Sequence, residues 1–127
     1  MKNFPAIGLL EFDDIPAGIS ATDALLKDAP VAFLRTGLIS PRRYLTVVAG
    51  SPAAVEHSLQ EARFAAGDHV EEWIFLPDAH EQLRSALMQG SRRTPRGAAL
   101  LALTVATCCS CVLAAEACLK GTPTSLL

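Results

Sequence analysis

Four cysteines, three histidines and two adjacent glutamates are the side chains with the most chemistry to offer in this chain. Cys108-Cys109-Ser110-Cys111, with Cys118 beyond, could supply thiolates to a soft metal. Zinc sites, however, want paired C-x-x-C units or histidines on turns. Here there is no second pair, and the run straddles the expected start of a helix, so buried thiols and no metal are the reading. His57, His69 and His80 fall on separate elements, and neither a G-x-S-x-G nucleophile motif nor a glycine-rich phosphate loop accompanies them. Glu71 and Glu72 are neighbours on a predicted strand, so they point to opposite faces and cannot share one reacting atom. No catalytic set is assembled. The chain is expected not to be an enzyme and to hold no cofactor.

The charge balance excludes further classes. Eleven basic against thirteen acidic residues give a net charge of -2, which leaves no global field to hold nucleic-acid phosphates. Half of the 127 residues are apolar, enough to close one core. The opening residues lack a charged n-region followed by an apolar h-region. The cysteines cluster at one end rather than spreading as a secreted disulfide framework would. A cytoplasmic protein with no nucleic-acid partner is expected.

Several elements must position these residues. The apolar run from Ala6 to Phe12, stopped by Asp13-Asp14 and Pro16, predicts a first strand. Ile15, Ile19, Thr22 and Leu26 recur at helical spacing, with Asp23 and Lys27 as an i,i+4 pair, and predict a helix over 17–29 ending before Pro30. Val31 to Ile39 and Tyr44 to Ala49 read as two strands joined by the turn Ser40-Pro41-Arg42-Arg43. Ser51 and Pro52 start a second helix with Val55, Leu59, Ala62 and Ala66 on its apolar face, ended by Gly67-Asp68. Val70 to Leu76 is a fourth strand, in which Trp73 and Phe75 share a face and are expected in the core. Asp78 and Glu81 have capping-box spacing and predict a third helix carrying Leu83 and Leu87. The order β-α-β-β-α-β-α favours an α+β, ferredoxin-like fold: a four-stranded, mostly antiparallel sheet with helices on one face.

Residues 89–97 change composition sharply and read as a linker. Beyond them, residues 97–115 carry no charge and follow three arginines, so a membrane-spanning tail is one candidate. An internal repeat weighs against it. Sliding the chain by 93 positions lays residues 100–127 on residues 7–34 without a gap. Ala21 falls on Ala114, Leu26 on Leu119, Lys27 on Lys120 and Pro30 on Pro123, with Asp23 on Glu116. A duplicated β-α-β unit requires the repeated acid-lysine pair and the following proline, whereas a membrane helix needs neither. The expected organisation is a complete domain over 1–88, a linker over 89–97, and a partial second copy over 98–127 consisting of first strand, first helix and the start of a second strand. In that alignment Cys111 replaces Gly18 and Cys118 replaces Leu25, both small or core positions.

Ala6-Ile7-Gly8-Leu9-Leu10-Glu11, the helix end Asp23-Ala24-Leu25-Leu26-Lys27 and Leu76-Pro77-Asp78-Ala79-His80-Glu81 occur in an order that resembles a bacterial microcompartment (BMC-domain) shell protein. The repeat is similar to the tandem-domain class, in which two domains per chain make a trimer into a pseudo-hexameric tile, here apparently truncated in its second domain. The resemblance implies a structural role: tiles join one another and other shell proteins into a sheet, with a pore for metabolites. It implies that the β2–β3 turn lines the pore through Gly37, Leu38, Ile39, Ser40, Pro41 and Arg42, and that Lys27 and His80 lie at the tile edge. The family usually carries a small residue where Arg42 stands. Arg42, helped by Arg43, would favour small anionic metabolites at a focused field, and strand alternation leaves open which of the two points inward. Some tandem members hold an iron-sulfur cluster through a cysteine in this turn. Ser40 stands there, and a hydroxyl is a poor substitute for a thiolate, so no cluster is expected. The alternatives are a small-molecule-binding regulatory module, which would need a polar pocket at an interface, and a tail anchor through residues 97–115.

Overall fold

The computed structural model describes residues 5–90, 99 and 101–126. Most of the expected linker therefore lies outside the described residues. The chain divides into two compact units, Met1–Ala79 and His80–Leu127.

The first unit holds β1 (Ala6–Phe12), α1 (Ile15–Asp28), β2 (Ala32–Ser40), β3 (Arg43–Gly50), α2 (Pro52–Ala66) and β4 (Val70–Leu76). Its sheet runs β2-β3-β1-β4 with every neighbouring pair antiparallel. This is the expected α+β arrangement. The bounds of β1 and β4 match the sequence reading, because apolar runs bounded by turn residues leave little choice of register. β1 is buried at all seven positions, as its nearly unbroken apolar sequence requires for a central strand.

α1 begins two residues before the expected start. The Asp14 carboxylate accepts from the Ala17 amide at 2.9 Å, and Pro16 is tolerated inside the first turn, where its missing N–H would have no helical partner anyway. The face that α1 buries also differs. Gly18, Ala21, Thr22 and Leu25 are buried, whereas Ile19 is 53% exposed. Small residues decide this orientation. A Cβ at position 18 would lie 2.7 Å from Tyr44 Cδ1 and 3.0 Å from Phe12 Cδ2, so only glycine lets the helix approach the rings this closely. Periodicity weighted by hydrophobicity favours Ile15 and Ile19, but close packing against aromatic rings selects the small stripe.

α2 presents the expected stripe of Val55, Leu59, Ala62 and Ala66, all buried. Leu10, Phe12, Val48 and Leu25 join them in one core between the sheet and the two helices. Trp73 departs from expectation. It is 40% exposed, and the Arg63 guanidinium lies 4.0 Å from its ring centroid. The ring is shared between β4 and a cation on α2, an arrangement that leaves one aromatic face at the surface. Phe75 packs against the core as expected.

The β1–α1 turn is tied to the segment before β4. The Asp13 amide donates to the His69 carbonyl at 3.0 Å, and His69 Nδ1 lies 2.9 Å from Asp13 Oδ1. The Asp13 hydrogen bond raises the His69 pKa above 6.5; desolvation opposes it, and the charges of Asp14, Asp13 and Asp68 add to the rise. A raised histidine pKa contributes stability that is complete below the unfolded value and is lost as pH rises through the folded one. The urea midpoint of the first unit is therefore expected to fall between about pH 6 and 8. Asp13→Asn should flatten that part of the slope in the same titration.

Candidate functional site

The site implied by the sequence is the tip of the β2–β3 hairpin, and its geometry follows from local backbone rules. Ser40 pairs with Arg43, so the turn is the two-residue loop Pro41-Arg42, narrower than the four-residue turn expected. Two-residue hairpins favour positive φ at the turn because that matches strand twist. No described non-glycine residue has positive φ. The mismatch is absorbed beside the turn. The β2–β3 register shifts between Leu38 and Ser40, and Gly37 adopts φ +151, a conformation essentially restricted to glycine. A bulge of this kind bends the strand and re-aims its side chains.

The consequence is an exposed tip. Leu38 is 63% and Ile39 43% exposed, and Ser40, Pro41 and Arg42 are exposed as well. Below the tip the hairpin is held by hydroxyls. Thr36 Oγ1 donates to the Tyr44 hydroxyl at 2.8 Å and lies 3.4 Å from Thr46 Oγ1. Thr46 in turn lies 2.7 Å from Thr22 Oγ1 of α1, which donates to the Gly18 carbonyl at 2.7 Å. Thr46 and Thr22 are buried, and buried hydroxyls that are fully paired fix geometry.

The two arginines separate in role. Arg43 Nη2 lies 3.2 Å from Glu71 Oε1 and its Nη1 lies 3.6 Å from Glu11 Oε2. Glu11 is 1% exposed, so Arg43 serves the sheet's own carboxylates. The bulge that puts Glu71 within reach falls where the β1–β4 register shifts: Glu11 faces Glu72, and Phe12 faces Val70. Simple alternation, which sends Glu71 and Glu72 to opposite faces, does not anticipate that re-aiming. Arg42 makes no ion pair among the described residues and is the exposed cation of the tip. The Glu11–Arg43–Glu71 group was missed by the sequence reading. Its signal was available, because Glu11 is the single charge in the apolar run AIGLLEF.

Lys27 lies on exposed α1 surface, donating to Asp23 at 2.7 Å, and that hydrogen bond raises its pKa above the ordinary lysine value. His80 belongs to the second unit, which contains α3 (Glu81–Gln89) and α4 (Cys108–Gly121). His80, not Asp78, caps α3, its Nδ1 accepting from the Gln82 amide at 3.1 Å. Asp78 is too early to cap because the chain stays non-helical through Ala79, whose amide donates to the Pro5 carbonyl at 2.9 Å. Glu116 of α4 accepts the His80 amide with both carboxylate oxygens at 3.1 Å.

α4 repeats α1 closely. Both bounds shift by 93 positions, from 15 to 108 and from 28 to 121. Thr107 caps the Ser110 amide at 3.0 Å as Asp14 caps that of Ala17, and Glu116–Lys120 pairs at 2.9 Å as Asp23–Lys27 pairs at 2.7 Å. Two expectations fail. Residues 101–105 are exposed and form no strand, and Cys111 is exposed with Cys118 only half-buried. α4 instead buries Cys109, Val112, Glu116 and Leu119. The described residues of this unit contain no strand against which the α1-like face could pack. No helix among the described residues is long and apolar enough to cross a membrane.

Residues 6–78 match the BMC domain family. The bacterial microcompartment shell protein PduT of Citrobacter freundii is 29% identical over 122 residues, covering 96% of this chain and 66% of that protein. The shell protein EutK of Escherichia coli K12 is 43% identical over 61 residues, 48% of this chain and 37% of that one. A crystal structure of a microcompartment protein from Desulfitobacterium hafniense DCB superposes with a TM-score of 0.65 at 33% identity, covering 71% of this chain and 50% of the other. The chain spans less than two thirds of the length of each of these relatives.

The split between the two arginines has a measurable outcome. Arg43→Gln leaves the buried Glu11 carboxylate without its nearby cation and is expected to lower unfolding free energy by about 1–3 kcal/mol. Arg42→Gln should stay within about 0.5 kcal/mol of the parent. Urea denaturation of the two variants side by side checks this.

Proposed function

The chain belongs to the BMC domain family, and from that footing we propose that it is a structural shell protein of a bacterial microcompartment in the cytoplasm. It catalyses no reaction. It is of the tandem-domain class, assembling as a homotrimer into a pseudo-hexameric tile that joins its own kind and other shell proteins into a sheet. The observation that carries this reading is the repetition of α1 as α4, with the same length, side-chain cap and acid-lysine pair at an offset of 93. The alignment with PduT over 96% of this chain supports it.

The hairpin tip lines a pore on the tile axis, through Gly37, Leu38, Ile39, Ser40, Pro41 and Arg42. Its cation is Arg42, because Arg43 is engaged by Glu71 and Glu11. A ring of symmetry-related arginines at a narrow mouth focuses positive potential and favours small anionic metabolites. Lys27 and His80 lie at the tile edge, and the exposure of Lys27 is compatible with a contact there.

Negative-stain microscopy of the purified chain is expected to show sheets, tubes or rosettes; a chain that stays dispersed at high concentration refutes the shell reading. Lys27→Glu should abolish extended sheets while leaving the circular dichroism spectrum unchanged. In assembled tiles, Arg42→Glu is expected to reverse the preference for anions measured by flux, and unchanged selectivity would remove Arg42 from the pore.

A further inference from the structure

The shell reading makes no use of the cysteines of α4, and of the four only Cys109 is placed as a core thiol would be. The first turn of α4 is well formed: Thr107 Oγ1 accepts from the Ser110 amide at 3.0 Å and the Thr107 carbonyl accepts from the Cys111 amide at 3.0 Å. Cys108 and Cys111, three residues apart in that turn, lie on one face of the helix. A rise of about 1.5 Å per residue on a cylinder of about 2.3 Å radius puts their Cα atoms about 5 Å apart. That falls within the range of about 4.4–6.8 Å that a disulfide spans. Cys111 is exposed and Cys108 half-buried, and both are thiols. The other two cysteines are unsuited to the same bond. Cys109 is fully buried, and Cys118, seven residues beyond Cys111, is about 10 Å along the helix.

We propose that Cys108 and Cys111 are a redox dithiol that closes reversibly to an intrahelical disulfide by exchange with a low-molecular-weight disulfide of the glutathione class. The exposed Cys111 thiolate attacks one sulfur of that disulfide. The S–S bond breaks, a mixed disulfide forms on Cys111, and one glutathione thiolate leaves. The Cys108 thiolate then attacks Cys111 Sγ and displaces the second glutathione thiolate. The cysteine pair gives up two electrons, the glutathione disulfide takes them, and the two cysteine protons end on two glutathione thiols. Excess thiol reverses both steps. The α1 counterpart shows why such chemistry is confined to the second copy: position 18 is glycine packed against Tyr44 and Phe12, whereas Cys111 at the equivalent place is exposed.

The test is incubation of the full chain with oxidised glutathione in the presence of a chelator, read by intact mass and peptide mapping. The wild type is expected to lose two hydrogens, retain no glutathione and yield a Cys108–Cys111 cross-link that excess dithiothreitol reopens. Cys108→Ser, which cannot resolve the intermediate, should retain one glutathione on Cys111, and Cys118→Ser should behave as the wild type. Cys111→Ser, at an exposed position that tolerates the change, should not lose the two hydrogens. A stable glutathione adduct on wild-type Cys111, a cross-link that includes Cys118, or one that joins two chains would each overturn the proposal.

Discussion

A carboxylate placed in the middle strand of a sheet must meet a cation or lose its charge, because desolvating an unpaired ion costs several kcal/mol. Glu11 imposes that demand on this protein. It sits in β1, between β3 and β4, at 1% exposure. Arg43, at the start of β3, answers it from 3.6 Å and reaches Glu71 at 3.2 Å. The demand propagates outward. With Arg43 held by the sheet, the next residue toward the tip, Arg42, is the one presented to solvent. The chemistry of the hairpin tip is therefore decided by a buried charge inside the sheet.

The position of that tip relies on close packing at its base. Gly18 brings α1 against Tyr44 and Phe12, and Thr22 continues the contact through Thr46 to Thr36 and back to the Tyr44 hydroxyl. Glycine and threonine contribute little hydrophobic area. They set distance and direction, while Leu10, Phe12, Leu25 and Val48 supply the apolar burial. Above this base the strand bends at Gly37 and at the shift between Leu38 and Ser40, so apolar Leu38 and Ile39 face solvent beside a cation. Two exposed apolar side chains at the end of a braced hairpin form a small apolar patch held in a fixed position.

The repeated helix illustrates how far local sequence information reaches. The cap, the length and the acid-lysine pair are properties of fourteen consecutive residues, and they recur at an offset of 93. Which face becomes buried is not local. α1 buries its small stripe against aromatic rings, whereas α4 buries Cys109, Val112, Glu116 and Leu119. The same helical blueprint thus leaves Cys111 available for solution chemistry in one copy and requires glycine in the other.

The chain's own order of residues determined the strands Ala6–Phe12 and Val70–Leu76, the helix start at Ser51, a hairpin turn within residues 40–43 and the repeat, because apolar runs, caps and turn residues act over a few neighbours. The start of α1 at Asp14 and the narrowing of the turn to Pro41-Arg42 came from the structure. It also contained Glu11 as a lone charge in an apolar strand, a sign that a partner was needed without saying which. Tertiary structure alone decided that Arg43 would be that partner, that Glu71 would join through a bulge, and that His80 rather than Asp78 would cap α3. It likewise exposed Ile19 and Trp73, which periodicity would bury. These outcomes depend on which surfaces meet across the sheet and how closely. Distance between residues far apart in sequence is set by packing, not by spacing along the chain.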